Sequence, residues 1–269
     1  MAENEAVTTE RAWRLRNGSI VPEGAQVIVE KPLQIIVDGT PYAVLMRTPG
    51  NDVHLAAGFC LTEGLVDCSA HIGAIASCPQ EDVNSVAVTR AGAPAATELR
   101  PPRLAVQSSC GLCGREQIDD LARRLPTIES DFQISSADLL ALGRRMQQGQ
   151  TYFQPTGGTH AAALFDASGE LLALAEDVGR HNALDKAIGR LLLDDSLGRA
   201  ATAVLSGRGS FEMIQKAARA GIPLVASVSA PTNLAIALAK RLGLTLVGFL
   251  RERSLTVYAG EGRVQDLSR

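Results

Sequence analysis

The sequence predicts an α/β fold, with a mixed, largely parallel sheet and helices between its strands, preceded by a smaller β-rich part. Three observations carry this. From Ala161 onward short apolar runs alternate with amphipathic ones, the pattern of βαβ units. Ahead of them, three short apolar runs follow one another with only turns between. With 46% hydrophobic and 20% charged residues over 269, the chain can bury a core that serves both parts.

Taken in order, residues 1–20 are polar and of mixed charge and read as a flexible arm, followed by an N-terminal part over 21–130 and an α/β part over 131–269. Residues 26–30, 33–38 and 43–48 read as strands, with Asp38-Gly39 as the turn between the second and third. Asn51 or Asp52 caps a helix carrying Leu55, Ala56, Phe59 and Cys60, which makes Cys60 core filling. Residues 85–89 return to an extended alternation, and 91–102, rich in Ala, Pro and Gly, form a loop. Ile118, Leu121 and Leu125 fit one amphipathic helix, and 136–146 another capped by Ser135 or Ser136. After a break at 151–158, residues 161–165 and 171–175 form a hairpin around Ser168-Gly169, and a helix runs from Asn182 to Leu193. Strands at 203–205, 224–228 and 244–249 then alternate with helices at 211–220 and 233–242, and 255–258 closes as an edge strand.

A formal net charge of −3 and a pI near 5.9 give no basic field for a nucleic-acid backbone, so nucleic acid is not an expected partner. The first residues lack the apolar core of a signal peptide, and the longest apolar stretches are cut by charged and polar residues. No membrane partner and a cytoplasmic location are expected. Five cysteines, an odd number, make a disulfide framework a poor reading.

One short spacing stands out: Cys110-Gly111-Leu112-Cys113, ahead of a helix beginning near Arg115. Free amide N–H groups at a helix start favour a thiolate, and Arg115 adds to the effect, so Cys110 is the candidate nucleophile. Such a thiolate can accept sulfane sulfur, form a disulfide with its neighbour, or bind a metal. None of Cys60, Cys68, Cys78, His54 or His71 supplies a second compact pair, and no metal site is expected. A zinc deaminase would need an upstream His-x-Glu, which the sequence lacks. Thiol oxidoreductase chemistry stays open as a rival.

Other constellations fall at element ends. Gly157-Gly158-Thr159-His160 precedes a strand, and Glu176-Asp177-Val178-Gly179-Arg180-His181-Asn182 precedes a helix, on which His181 and Asp185, and Asn182 and Lys186, lie four apart on one face. Ser206-Gly207-Arg208-Gly209-Ser210 lies between a strand and a helix, where glycines let backbone amides approach an anion. Ser229-Ala230-Pro231-Thr232-Asn233 repeats that arrangement one strand later, so two loops open on one sheet edge, the expected ligand site. Arg251 and Arg253, after the strand ending at Phe249, emerge near it, with the forked geometry that suits phosphate.

In these motifs, together with Asn182-Ala183-Leu184-Asp185-Lys186 and Pro231-Thr232-Asn233-Leu234-Ala235, the chain resembles the formate dehydrogenase accessory sulfurtransferase family, FdhD, from about residue 30 to 258. The resemblance implies a cytidine deaminase-like core without zinc chemistry. It implies that sulfur from a cysteine desulfurase passes as a persulfide to a molybdenum cofactor of the bis(molybdopterin guanine dinucleotide) type, needed by formate dehydrogenase. By position, Cys110 would hold the persulfide with Cys113 assisting, and Phe249, Leu250, Arg251, Glu252, Arg253 and Ser254 would touch the cofactor. Gly158, Thr159, His160, Arg180, His181, Asn182, Ser206, Gly207, Arg208, Thr232 and Asn233 are the further cofactor-binding residues expected, on a homodimer. The competing readings are a cofactor chaperone without sulfur transfer and a Cys-x-x-Cys thiol oxidoreductase.

Overall fold

A hairpin opens the chain in the computed structural model, which describes residues 6–78, 84–92, 123 and 125–267. Strand β1 (Val7–Arg16) pairs antiparallel with β2 (Ser19–Ile28), in register from Val7↔Ile28 to Arg16↔Ser19. The stretch expected as a loose arm, residues 1–20, thus holds all of β1 and the start of β2. Asn17 and Gly18, at φ 48° and 80°, make the two-residue turn whose twist suits such a ribbon. Cross-strand pairing puts Trp13, Leu15, Ile20 and Pro22 on one face and Arg14, Arg16 and Glu23 on the other. No regular burial accompanies the strand, so its residues carried no alternation to read.

The next strands form a sheet of their own. β3 (Lys31–Val37) and β4 (Thr40–Arg47) are joined at Asp38-Gly39, both at positive φ, as that dipeptide predicts. β5 (Ile72–Cys78) and β6 (Asn84–Arg90) complete the order β4-β3-β6-β5. Leu33, Ile35 and Val37 alternate into the core while Pro32, Gln34 and Ile36 stay part-exposed. β5 escaped the sequence reading because its run Gly73-Ala74-Ile75-Ala76-Ser77 is small, exposed and weakly patterned. Helix α1 (Asp52–Thr62) starts after Asn51, whose side chain makes no capping hydrogen bond; Asp52 instead receives both Nε and Nη2 of buried Arg47, at 2.8 and 2.7 Å. Cys60 is fully buried and its thiol is pushed up to about 12 by that burial, as core filling requires.

The second half holds helices α2 (Ser136–Gly149), α3 (Phe153–Thr156), α4 (Arg180–Leu193), α5 (Phe211–Arg219) and α6 (Asn233–Leu242). Its strands are β7 (His160–Asp166), β8 (Leu171–Asp177), β9 (Ala200–Leu205), β10 (Leu224–Ser227), β11 (Thr245–Gly248) and β12 (Thr256–Ala259), in the order β12-β11-β10-β9-β7-β8. Ser135 caps α2 by accepting from Asp138 N–H, and Thr232 caps α6 from Ala235 N–H. The expectation of a largely parallel sheet needs correction: only β9, β10 and β11 run parallel, and β7, β8 and β12 pair antiparallel. Chain length explains this, because a parallel neighbour needs a crossover of a dozen or more residues, and neither the turn at Ser168-Gly169 nor residues 249–255 provides one.

Alternation in β7 splits two cores. Ala162 and Leu164 face α4, α5 and α6, whereas Ala161, Ala163 and Phe165 face α2. The first core continues without a break into α1 and the small sheet. That continuity depends on α1 crossing α4 at Gly58 and Gly189, where a methyl on Gly58 would come within 2.7 Å of the Asp185 carbonyl carbon and one on Gly189 within 2.6 Å of the Gly58 nitrogen. Among the described residues no helix is long and apolar enough to cross a membrane.

Candidate functional site

The C-terminal ends of the three parallel strands are stitched together. Ser206, just past β9, donates its N–H to Ala161 O at 3.0 Å and accepts from Ala161 N–H through Oγ at 2.8 Å. Gly209 bridges to Pro231, and Thr232 N–H donates to Gly209 O at 3.0 Å, so the loops after β9 and β10 are joined to each other. Past β11, Phe249 N–H donates to Ser229 O at 3.2 Å and Leu250 N–H to Ser227 O at 3.0 Å. This is the edge at which open α/β sheets bind ligands.

Beside it lies a cleft of about 520 Å³. Met146 and Gln147 of α2 with Gln150 at its C-terminal cap form one side, Phe153 and the run Gly157-Gly158-Thr159-His160 a second, and Ser206 and Val228 a third. Four of the sequence-predicted residues, Gly158, Thr159, His160 and Ser206, therefore share one cleft. Gly207 packs between His160 and one more, Arg180: a Cβ there would sit 3.4 Å from His160 Nδ1 and 3.5 Å from Arg180 Cδ. Burial, then Arg180, His181 and Arg208, hold His160 below its ordinary pKa, against a smaller upward pull from Asp177. Arg180 is held down in turn by burial and by Arg208, with Glu212 opposing. Arg180 Nε and Ser210 Oγ are buried with no hydrogen-bond partner among the described residues. Cationic groups thus crowd this corner and lower one another's pKa.

Other expected residues turn out to brace the site. Asn182 points inward, its Nδ2 donating to Met46 O at 2.8 Å and Asp177 Oδ1 at 2.9 Å, which removes it from the cleft. The four-apart pairs read on α4 do not bond to each other. His181 Nε2 instead stands 2.6 Å from Glu212 Oε2, and that contact holds the Glu212 carboxyl below its usual range. Asp185 meets Lys216 at 2.7 Å, and Lys186 meets Asp177 at 2.7 Å, all four buried. Leu250 is core, packed where Gly143 of α2 leaves room, and so is not free to touch a ligand. Thr232 spends its hydroxyl on capping α6, while Asn233 and Arg208 are exposed. Phe249 is 40% exposed at φ 51°, a left-handed conformation uncommon for a bulky residue, and Arg251 to Ser254 are exposed on a turn closed by Arg251 N–H to Ser254 O at 2.8 Å. Cys110 and Cys113 lie outside the described residues. Sequence reasoning missed Glu212, Phe153 and the α2 side of the cleft, which carry no spacing signal and are assembled only by tertiary packing.

The His160 shift sets a sign for pH. A histidine held below its ordinary pKa resists in the folded state a proton that the unfolded chain accepts, so stability is full above the ordinary value near 6.5 and falls as pH drops through it. Thermal melts from about pH 8 to 5 are expected to show Tm falling over this window, with a shallower slope in His160→Gln. His54, shifted down by its own burial, supplies the slope that remains. An unchanged slope in the variant would contradict the burial and charge crowding described for His160.

Fold and cleft together define a mixed α/β protein with a cleft beside the C-terminal ends of its parallel strands. Comparison with known proteins is specific. Residues 28–265 match the FdhD/NarQ family, and the chain belongs to that family. It is 43% identical over 262 residues to a protein of Streptomyces avermitilis named sulfur carrier protein FdhD, covering 93% of each chain. A protein of the same name from Mycolicibacterium paratuberculosis is 41% identical over 271 residues, covering 97% of this chain and 99% of its own. The crystal structure of a formate dehydrogenase accessory protein from Desulfotalea psychrophila matches with a TM-score of 0.78 at 25% identity, covering 96% of this chain and 99% of that one.

Proposed function

We propose that this protein is a sulfur carrier of formate dehydrogenase maturation, taking persulfide sulfur from a cysteine desulfurase and passing it to a bis(molybdopterin guanine dinucleotide) molybdenum cofactor as substrate. The observation that carries the reading is the relationship, at 43% identity over 93% of both chains, to a protein named a sulfur carrier. Cys110 is the acceptor. Its thiolate attacks the outer sulfur of the desulfurase persulfide, forming Cys110–S–SH and releasing the desulfurase thiolate, and Cys113 assists the onward transfer. The cleft supports the second half of the reading: His160 and Arg180 approach Gly207, and the charge of the neighbouring Arg208 bears on both, a cationic corner suited to the phosphates of a nucleotide arm. The reading further assigns Phe249 and the exposed Arg251–Ser254 turn, just past β11, to contact with the cofactor. The reading includes a cytidine deaminase-like core, supported by helices on both faces of the large sheet, and a cytoplasmic homodimer as the working form.

Intact mass tests it. After incubation with a cysteine desulfurase and cysteine, the wild type and Cys113→Ala are expected to gain about one sulfur atom and Cys110→Ala none. Absence of the gain in every sample would remove the sulfur carrier and leave a cofactor chaperone; reversible Cys110–Cys113 oxidation with dithiol turnover would mark an oxidoreductase.

A further inference from the structure

We infer that Glu176 is the positioning residue of the cleft, its buried carboxylate fixing the wall that presents Thr159 and His160 to the ligand. The inference rests on reading the cleft as a phosphate-binding site. Glu176 lies in β8, opposite Ala161 of β7 and almost wholly buried. One oxygen, Oε2, accepts from Thr151 N–H at 2.6 Å, Tyr152 N–H at 2.8 Å and the Thr151 hydroxyl at 3.3 Å. The other, Oε1, accepts from Phe153 N–H at 2.8 Å and the Thr159 hydroxyl at 2.7 Å. One carboxylate thus grips both ends of the segment that forms a side of the cleft.

Between the two grips the hydrogen bonds are local: Gly157 N–H donates to Phe153 O, the Thr156 hydroxyl to Tyr152 O, and Gly158 N–H to the Thr156 hydroxyl. Ile28 of β2 adds an apolar seat against Gly158. Every group facing Glu176 is a donor, so the position needs an acceptor on both oxygens. An ionised carboxylate provides this and an amide cannot, because its NH2 would oppose N–H groups on one side or the other. The same glutamate continues, through β8, into Asp177 and the start of α4, which carries Arg180. Wall and cationic corner are therefore set from one strand end.

Glu176→Gln tests this with two readouts. Hydrogen exchange at the amides of Thr151, Tyr152 and Phe153 is expected to speed by about ten- to a hundredfold, while amides of β3 and β6 stay protected and report an intact fold. GDP, used as the probe of the nucleotide arm, is expected to bind about tenfold more weakly by calorimetry, since groups held out of place lose affinity steeply. Val88→Ala, in the small sheet, lowers stability by another route and should leave GDP affinity alone, separating positioning from general destabilisation. Should the glutamine variant fail to fold, Thr159→Val removes a single donor and is expected to loosen the same grip. Unchanged exchange at 151–153 overturns the inference, as does fast exchange with undiminished GDP affinity. If the wild type itself binds no GDP, the phosphate reading of the cleft falls, and the exchange measurement still decides whether Glu176 holds the wall.

Discussion

Gly189→Ala is expected to destabilise the protein by about 3 kcal/mol or more, the upper end of what overpacking costs in a close-packed interior. Helix propensity argues the opposite sign: alanine in the middle of a helix gains about 1 kcal/mol over glycine. The geometry decides. Gly189 lies in α4, where an added methyl meets backbone, the His54 carbonyl carbon at 2.8 Å and the Gly58 nitrogen at 2.6 Å, and no flexible side chain can turn away. Gly58→Ala is expected to act alike, since its methyl meets the Asp185 carbonyl carbon at 2.7 Å. Relief in either variant requires α1 and α4 to separate, and this opens the apolar core that runs from the small sheet through both helices. Urea midpoints provide the measurement; a stabilised Gly189→Ala would mean that the two helices are free to part.

That crossing shows where sequence reasoning stops. The glycines of Asp38-Gly39 and Ser168-Gly169 were legible, because a turn advertises itself through neighbours on the same stretch of chain. Gly58 and Gly189 have ordinary helical neighbours, and their meaning lies 131 residues apart (189 − 58) in the contact between two elements. The same limit governs the site. Helix α6 was read at its observed bounds, and the loops after β9 and β10 were placed on one edge, since strand–turn–helix order fixes which ends of parallel strands open together. What α4 does with its polar face was not legible. Spacing alone pairs His181 with Asp185 and Asn182 with Lys186, yet each finds a partner from another element, because burial in a tertiary interface outweighs weak pairing along a helix surface. The motif that most resembles a binding surface is divided in the structure: Arg180 packs beside Gly207, while Asn182, Asp185 and Lys186 clamp the two halves of the chain together.

Lys216→Met should expose how that clamp works, with an expected loss of about 3–5 kcal/mol. Lys216 Nζ reaches both Asp185 oxygens, at 3.0 and 2.7 Å, and Thr62 Oγ1 at 2.9 Å, while the Thr62 hydroxyl donates to Asp185 Oδ1 at 2.9 Å. The group thus draws α1, α4 and α5 to one buried point. Burial pushes the Asp185 carboxyl up, and Lys216 and Thr62 pull against it. With the ammonium gone, burial acts against the remaining hydroxyl alone, and the cheapest response is for Asp185 to take up a proton. A carboxyl whose folded pKa lies above its unfolded value contributes stability at low pH that is lost as pH rises through the folded value. The penalty of Lys216→Met should therefore be smaller in mild acid and grow toward neutral pH, where the variant must either bury an unpaired charge or hold a proton against the solution. Lys216→Met combined with Asp185→Leu removes both charges and is expected to recover most of the loss, since an apolar pair of similar volume often matches a buried ion pair. If the double variant were no more stable than the single one, the cost would lie in packing against Phe59, over whose ring the ammonium sits at 5.9 Å, and the ion pair would not be what holds the halves together.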